Sequence, residues 1–386
     1  LVLKRELRFV SNMFRIALSK SHVTSNENET YRDSPGGQNR RRATLLPLTS
    51  RSVSPRVTPL PAWPPPEERR SCPLQTARPH RLVAIGAVHS DTVAHAGERI
   101  RRETSTPARL SSAPGGVATN IARAVSALGV PAHLIGAVGD DAAAVSLRES
   151  LTREGLNLTL VPRTGHATGQ YLALHDPDGS LAAACVDDHV LSDAPPDIFD
   201  SAVTDLQPGP DDRLFWFIDT NLPEKTLASA ISRIGGGAIV ANAVSDAKAP
   251  RLRPFLTDLA CVSLNRGEAV ALLDMPANST AEELATALHN AGLDQFILTG
   301  GSNDLLALSE NRLERISPPV SDVVNVTGAG DALTAGFLAA SLRGAGFFQS
   351  VRYGLAAAAI TLKSTGALAE GLSWDALEKF AQADKV

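Results

Sequence analysis

Asn325–Phe337 reads NVTGAGDALTAGF, two glycines and an aspartate at the head of an apolar, small-residue run. The run continues as ALTAGFLAASL and predicts a helix whose first turn holds Gly328, Ala329, Gly330 and Asp331. A helix N-terminus favours negative charge, so Asp331 has a plain reading as a cap. The glycines open a second reading. They leave backbone N–H groups uncovered, and such groups at a helix start bind phosphate. Phosphoryl transfer needs such an anion hole, because charge spreads over the transferred oxygens. It also needs a carboxylate to take the proton of the attacking hydroxyl. Residues 328–331 could supply the first and Asp331 the second. DVVNV, residues 322–326, is strand-like and leads directly into this turn.

Working outward, short β-branched runs alternate with helical patterns. Leu82–Val88 predicts a buried strand, and so do segments in PAHLIGAVGDD, RLFWFID, GAIVANAV, LACVSLN and DQFILTGG. Between them, Ala118, Ile121, Ala122, Val125 and Leu128 fall at helical spacing after the paired Gly115 and Gly116, and Gly129 ends that helix. AAAVSLRESLTREG, the run after NLPEK, and RGEAVALLD are further helices. Such alternation predicts a mostly parallel sheet covered on both faces, with ligands at the carboxyl ends of its strands. Two segments break the pattern. One is residues 93–112. The other runs from about 167 to 190, where Tyr171–Ala173 and Leu181–Val186 read as strands joined by a DPDG turn. Inserted hairpins of this kind predict a small side sheet that can close over a site as a lid.

The chain has 386 residues, 43% hydrophobic and 20% charged, with net charge −4. This composition suits a globular protein and gives no global pull toward nucleic acid or anionic membrane. No apolar run reaches the length of a membrane span. Cys72, Cys185 and Cys261 stand far apart, and the nine histidines form no HxxxH or HExxH pair, so neither a disulfide framework nor a zinc site is expected. Residues 1–80 differ from the rest. They are rich in Arg, Ser and Pro, bury little, and read as a disordered basic arm. Its first stretch, LVLKRELRFVSNMFRIALSKSHVTS, has the pattern of an amphipathic targeting helix; the preferred reading is an upstream extension of a cytoplasmic protein.

Taken together, the motifs resemble the PfkB, or ribokinase-like, family of carbohydrate and nucleoside kinases over about residues 81–385. NVTGAGDALTAGF looks like its C-terminal signature, and PGGVATN like its diglycine motif with Asn120 in place. IGAVHSD puts Asp91 at the position of the substrate-binding Asp that ends the first strand; NRGE matches an NxxE motif; LTGGSND stands where the family has T-x-G-x-x-G. The resemblance implies a three-layer αβα sandwich with a small β lid, covering residues 81–386, and a possible homodimer through that lid. It implies ATP and Mg2+, and a small nucleoside or sugar acceptor. Asp331 would be the base and Gly328, Ala329 and Gly330 the anion hole. Gly115, Gly116, Asp91, Asn120 and Thr168 would meet the acceptor. Asn265, Thr299, Gly301, Asn325 and Thr327 would meet ATP, and Glu268 the metal.

Several stretches are similar to the pseudouridine-kinase branch: VNVTGAGDALTAG, DTNLPEKTL, VANAVSDAKAPRL with Lys248, and the lid segment with Asp187. On that likeness Lys248 and Asp187 join the acceptor site, and phosphorylation of the pseudouridine 5′-hydroxyl is expected. The alternatives are a ribokinase- or fructokinase-type sugar kinase, or a degenerate member that binds without turnover. The departures are Ala144 for a Gly, Asp304 for the last Gly of the nucleotide motif, Asn242-Ala243 for Asp-Pro, and Asn325 for an Asp. Asp304 would require a strained turn there or reshape the ATP loop. Asn325 removes a carboxylate that helps hold a monovalent cation in ribokinases, which leaves dependence on such a cation open.

Overall fold

In the computed structural model, residues 81–208, 214–319, 323–364 and 366–383 are described. The arm of residues 1–80, with its targeting-like stretch and Cys72, lies outside the described residues. Thirteen strands follow in order: β1 (Arg81–Ile85), β2 (His89–Ala96), β3 (Ala108–Gly115), β4 (Ala132–Gly139), β5 (Asn157–Arg163), β6 (Gly169–His175), β7 (Leu181–Asp187), β8 (Leu214–Asp219), β9 (Ala238–Asn242), β10 (Cys261–Asn265), β11 (Phe296–Gly300), β12 (Asn303–Ser309) and β13 (Arg312–Ile316). Nine form one sheet, ordered β13-β12-β11-β10-β9-β8-β1-β4-β5, and four form a second, β3-β2-β6-β7. In the large sheet β5 through β11 run parallel, and β12 and β13 close one side antiparallel.

The helices are α1 (Val117–Ala127), α2 (Ala142–Arg153), α3 (His189–Ser192), α4 (Asp200–Asp205), α5 (Glu224–Arg233), α6 (Arg266–Leu273), α7 (Ala281–Asn290), α8 (Ala329–Leu342), α9 (Phe347–Thr361) and α10 (Trp374–Ala383). Their placement follows from side-chain alternation. Leu82, Ala84, Phe215 and Phe217 point to a core shared with α1, α2, α8 and α9. Val83, Ile85, Trp216 and Ile218 point the other way, to a core shared with α3 to α7. Strands buried on both faces read as unbroken apolar runs, which is why RLFWFID was legible.

Two local expectations change. The first strand ends at Ile85, and a separate strand, β2, begins at His89 and pairs only in the small sheet. Asp91 therefore belongs to the small sheet, not to the end of β1. DVVNV is not a strand in its described part, Val323–Val326. Among the described residues no strand pairs with it; the amides of Val324 and Asn325 donate instead to the carbonyl of Leu362, and Val323, Val324 and Val326 are exposed.

The sheet edges differ in chemistry. β5 contains Pro162 and β13 carries Arg312, Glu314 and Arg315. In the small sheet β3 carries Arg109 and Pro114, whereas β7 is LAAACVD and exposed throughout.

Candidate active site

Chain order along the large sheet reverses between β1 and β8, so the crevice beyond their carboxyl ends is the expected binding place. α8 begins close by. Its N-cap, Gly328, has φ 78°, and a Cβ there would lie 2.5 Å from the Ala367 carbonyl oxygen, so only glycine fits. Gly330 differs: a Cβ there would meet nothing within 4 Å. The amide of Ala329 reaches the Val326 carbonyl at 3.4 Å. The Gly330 and Asp331 amides, in the first turn, donate to no backbone carbonyl among the described residues. They border the open space beside Gly330, a cradle at the helix start.

Asp331 forms the wall of that cradle. Its Oδ2 accepts from Asn120 Nδ2 at 2.9 Å, joining α8 to α1. Withdrawal of its carboxyl from water raises its pKa to about 7, against the Asn120 hydrogen bond, with Asp219, Asp91 and Glu268 adding repulsion. A carboxylate poised near neutrality suits a general base.

Among the described residues, three buried polar atoms of this region have no hydrogen-bond partner: Asn120 Oδ1, Asp91 Oδ1 and His89 Nε2. Buried polar atoms of this kind are costly unless something meets them. The Asp91 carboxyl packs over Gly115, where any side chain would collide with it. Burial raises its pKa to about 6, opposed by Arg123. Burial also pushes the His89 imidazole down to about 4, so it is neutral near pH 7; Asp188 opposes that shift and Lys248 adds to it. Gly169 leaves the space that the His89 ring occupies.

A second polar group lies next to these. Lys248 Nζ donates to Asn221 Oδ1 at 2.7 Å and stands 3.7 Å from Asp188. Arg251 holds the loop beneath by donating to the carbonyls of Thr220, Asn221 and Leu222. Asp219, fully buried at the end of β8, accepts from the amides of Ala118 at 2.8 Å, Asn221 at 2.9 Å and Ala87 at 3.4 Å. His89, Asp188, Asn221, Arg251 and Asp219 were not singled out from sequence.

The remaining expected residues fall in varied places. Gly116, at φ 95°, caps α1 against the Ala87 carbonyl. Thr168 is fully buried: its hydroxyl donates to Asp141 at 2.5 Å and accepts from Gly139 N at 3.0 Å. Its side chain is engaged with the scaffold. Asp187 is exposed and bound to His189 at 2.6 Å, which holds its carboxyl below the usual range. Register decides its direction. Asp91, Tyr171 and Val186 lie opposite one another on one face of the small sheet, and Ser90, Gln170 and Asp187 on the other.

On the α6 side, Asn265 and Glu268 form a reciprocal capping box. Glu268 is buried, and burial raises its pKa against the Asn265 bond, with Asp246 adding to the rise. Thr299 is the last residue but one of β11, its hydroxyl 3.5 Å from the Leu264 carbonyl. Gly301, at φ 67°, makes the turn into β12. Asp304 is not in that turn; it sits within β12 at ordinary strand geometry and accepts from Ser317 at 2.7 Å, so no strain arises. Asn325 Oδ1 accepts from the amide of Thr327 at 2.9 Å. No group of three or more His, Cys, Asp or Glu among the described residues could hold a metal by itself.

The chain is similar to known carbohydrate and nucleoside kinases. Residues 79–374 match the pfkB family carbohydrate kinase. The chain is 27% identical to the pseudouridine kinase of Escherichia coli (strain K12), over 70% of this chain and 87% of that protein. A carbohydrate kinase from Agrobacterium tumefaciens superposes with TM-score 0.68 at 28% identity, covering 78% of this chain and 97% of that one. The ribokinase of Arabidopsis thaliana, complexed with ribose and ATP, superposes with TM-score 0.64 at 21% identity, covering 79% and 99%.

Proposed function

The chain belongs to the pfkB family of carbohydrate kinases, and from that premise we propose that it phosphorylates the 5′-hydroxyl of pseudouridine at the expense of ATP. One observation carries the catalytic half of this reading: the 2.9 Å bond from Asn120 to Asp331, which ties the acceptor wall to the helix with the open cradle. Asp331 takes the proton of the attacking hydroxyl. The amides of Gly330 and Asp331, with the positive end of α8, receive the charge of the transferring group. Asp91 Oδ1 and Asn120 Oδ1 meet ribose hydroxyls. Mg2+, when bound to the ATP phosphates, neutralises their charge, and Glu268 would hold it through water. Asn265, Thr299, Gly301, Asn325 and Thr327 line the ATP side. The small sheet excludes water that would otherwise hydrolyse ATP.

A free sugar would leave His89 Nε2 without a partner; a base adds amide donors and acceptors to meet it and the neighbouring Asp188, Asn221 and Lys248. Pseudouridine also carries an N1–H that uridine lacks. A buried acceptor facing that group discriminates strongly, because with uridine it stays unpaired. We assign a cytoplasmic setting, and a second copy of this chain to the sheet face turned from Asp91, where Leu110 and Leu172 are exposed. The test is ATP consumption with pseudouridine, uridine, adenosine, ribose and fructose. The expected result is the highest kcat/KM with pseudouridine. Equal values for pseudouridine and uridine, or a preference for ribose or fructose, overturn the assignment in favour of a sugar kinase.

A further inference from the structure

Asp219 touches none of the atoms assigned above to substrate, yet it is fully buried and accepts three backbone amides from three separate segments. One is Ala87, just past β1. One is Ala118, in the first turn of α1. One is Asn221, in the loop after β8. A buried carboxylate is retained at such a place only with its hydrogen bonds made. The room for it is specific, because a Cβ on Gly86 would strike Asp219 Oδ2 and crowd Ala118 Cβ at 2.7 Å.

What these segments carry matters more than the bonds themselves. Two residues beyond Ala118 on α1 is Asn120, bonded to Asp331. Asn221 holds Lys248, which faces Asp188 at the end of the small sheet. Past Ala87 the chain enters β2 with His89 and Asp91. A single carboxylate therefore fixes the starting points of both walls of the acceptor site relative to the base.

We propose that Asp219 is the positioning residue of this kinase: it acts through Asn120 to set the acceptor hydroxyl against Asp331, and through Asn221 to set Lys248. The inference rests on the kinase reading for its activity measurements and on bond geometry alone for the others. Two variants test it. Asp219→Asn keeps the shape but turns an NH2 group toward amide donors. Gly86→Ala keeps every polar group and displaces the carboxylate. Both should lower kcat for the best acceptor at least about tenfold, since a misplacement of about 1 Å can cost on the order of a hundredfold. The ATP dissociation constant, by calorimetry, should stay within about twofold, because the cradle on α8 is untouched.

Combined with Asn120→Ala, Asp219→Asn should cost less than the product of the two separate losses, since the two variants share the Asn120 contact. In the ligand-free chain, amide hydrogen exchange at residues 117–121 and 220–222 should quicken in both variants, while residues 329–333 keep wild-type rates. The proposal is overturned if kcat and exchange stay at wild-type levels, if effects multiply with Asn120→Ala, or if ATP binding weakens in step with kcat. Should Asp219→Asn fail to fold, Gly86→Ala decides on the same criteria. A wild type that phosphorylates no acceptor sinks the kinase reading, and the exchange data still decide the positioning claim.

Discussion

The starts of α1 and α8 make an instructive pair. Both helices begin after a glycine with positive φ, Gly116 at 95° and Gly328 at 78°, and neither N-cap glycine has a side chain to accept the first amides. At α1 the opening is closed from within by the Asp219 carboxylate on Ala118 N. At α8 the amides of Gly330 and Asp331 donate to no side chain among the described residues. Each helix start attracts an anion. In one case the chain provides it, and the helix becomes scaffold. In the other the anion must arrive from outside, and the helix becomes a receptor.

The largest expected effect removes the base at the open start. Asp331→Asn should keep the fold and ATP binding while lowering kcat by at least about two orders of magnitude. A variant with more than half of wild-type turnover would reduce Asp331 to a cap and erase the contrast. Next is pH. Asp331 works deprotonated, and its pKa is raised to about 7. In the wild type, kcat/KM should therefore be flat above about pH 8 and fall about tenfold per unit below pH 7. The same shift acts on stability with the opposite sign. A carboxyl whose folded pKa exceeds its unfolded one favours folding at low pH and loses that contribution as pH rises through the folded value. Thermal melts should show Asp331→Asn gaining on wild type at pH 8 and not at pH 4; equal gains at both would break the desolvation account.

A third, smaller effect separates the two starts directly. Gly330→Ala places a methyl group in the open cradle, where it meets no protein atom. It should leave the melting temperature unchanged or slightly higher, in keeping with the helix preference for Ala over Gly, while raising KM for ATP several-fold. Gly116→Ala should do the reverse in stability, losing about 2 kcal/mol or more from the forbidden backbone region and the clash with Ala87. Smallest of all is Asp187→Ala. Facing away from Asp91 and tied to His189, it should change kcat/KM by less than about twofold; a larger loss would mean that the small sheet turns its other face to the acceptor.

These sites were unequally legible. Parallel strands covered on both sides produce continuous apolar runs, and the TGAGD turn announces itself through glycines, so the large sheet and the cradle could be read directly. Asp219 could not. Two of its three partners are backbone amides more than a hundred residues earlier in the chain, 132 for Ala87 and 101 for Ala118, and backbone amides leave no trace in sequence. Asp187 and Asp188 are adjacent acids, and only strand register tells which one turns toward Lys248. DVVNV misled because β-branched composition predicts strand, whereas pairing needs a neighbour.

The edges of the sheets carry a last consequence, for the protein in the tube. Proline on β5 and ion pairs on β13, Arg312 with Glu314 at 2.6 Å among them, keep other strands from adding to the large sheet. β7 has no such guard before Asp187, and its exposed Leu181, Ala183 and Val186 offer a bare ladder to any passing strand. Shelf life in concentrated solution is therefore set at this rim and not by the well-filled cores. A lysine placed at Ala183 should delay the onset of turbidity without shifting the melting point.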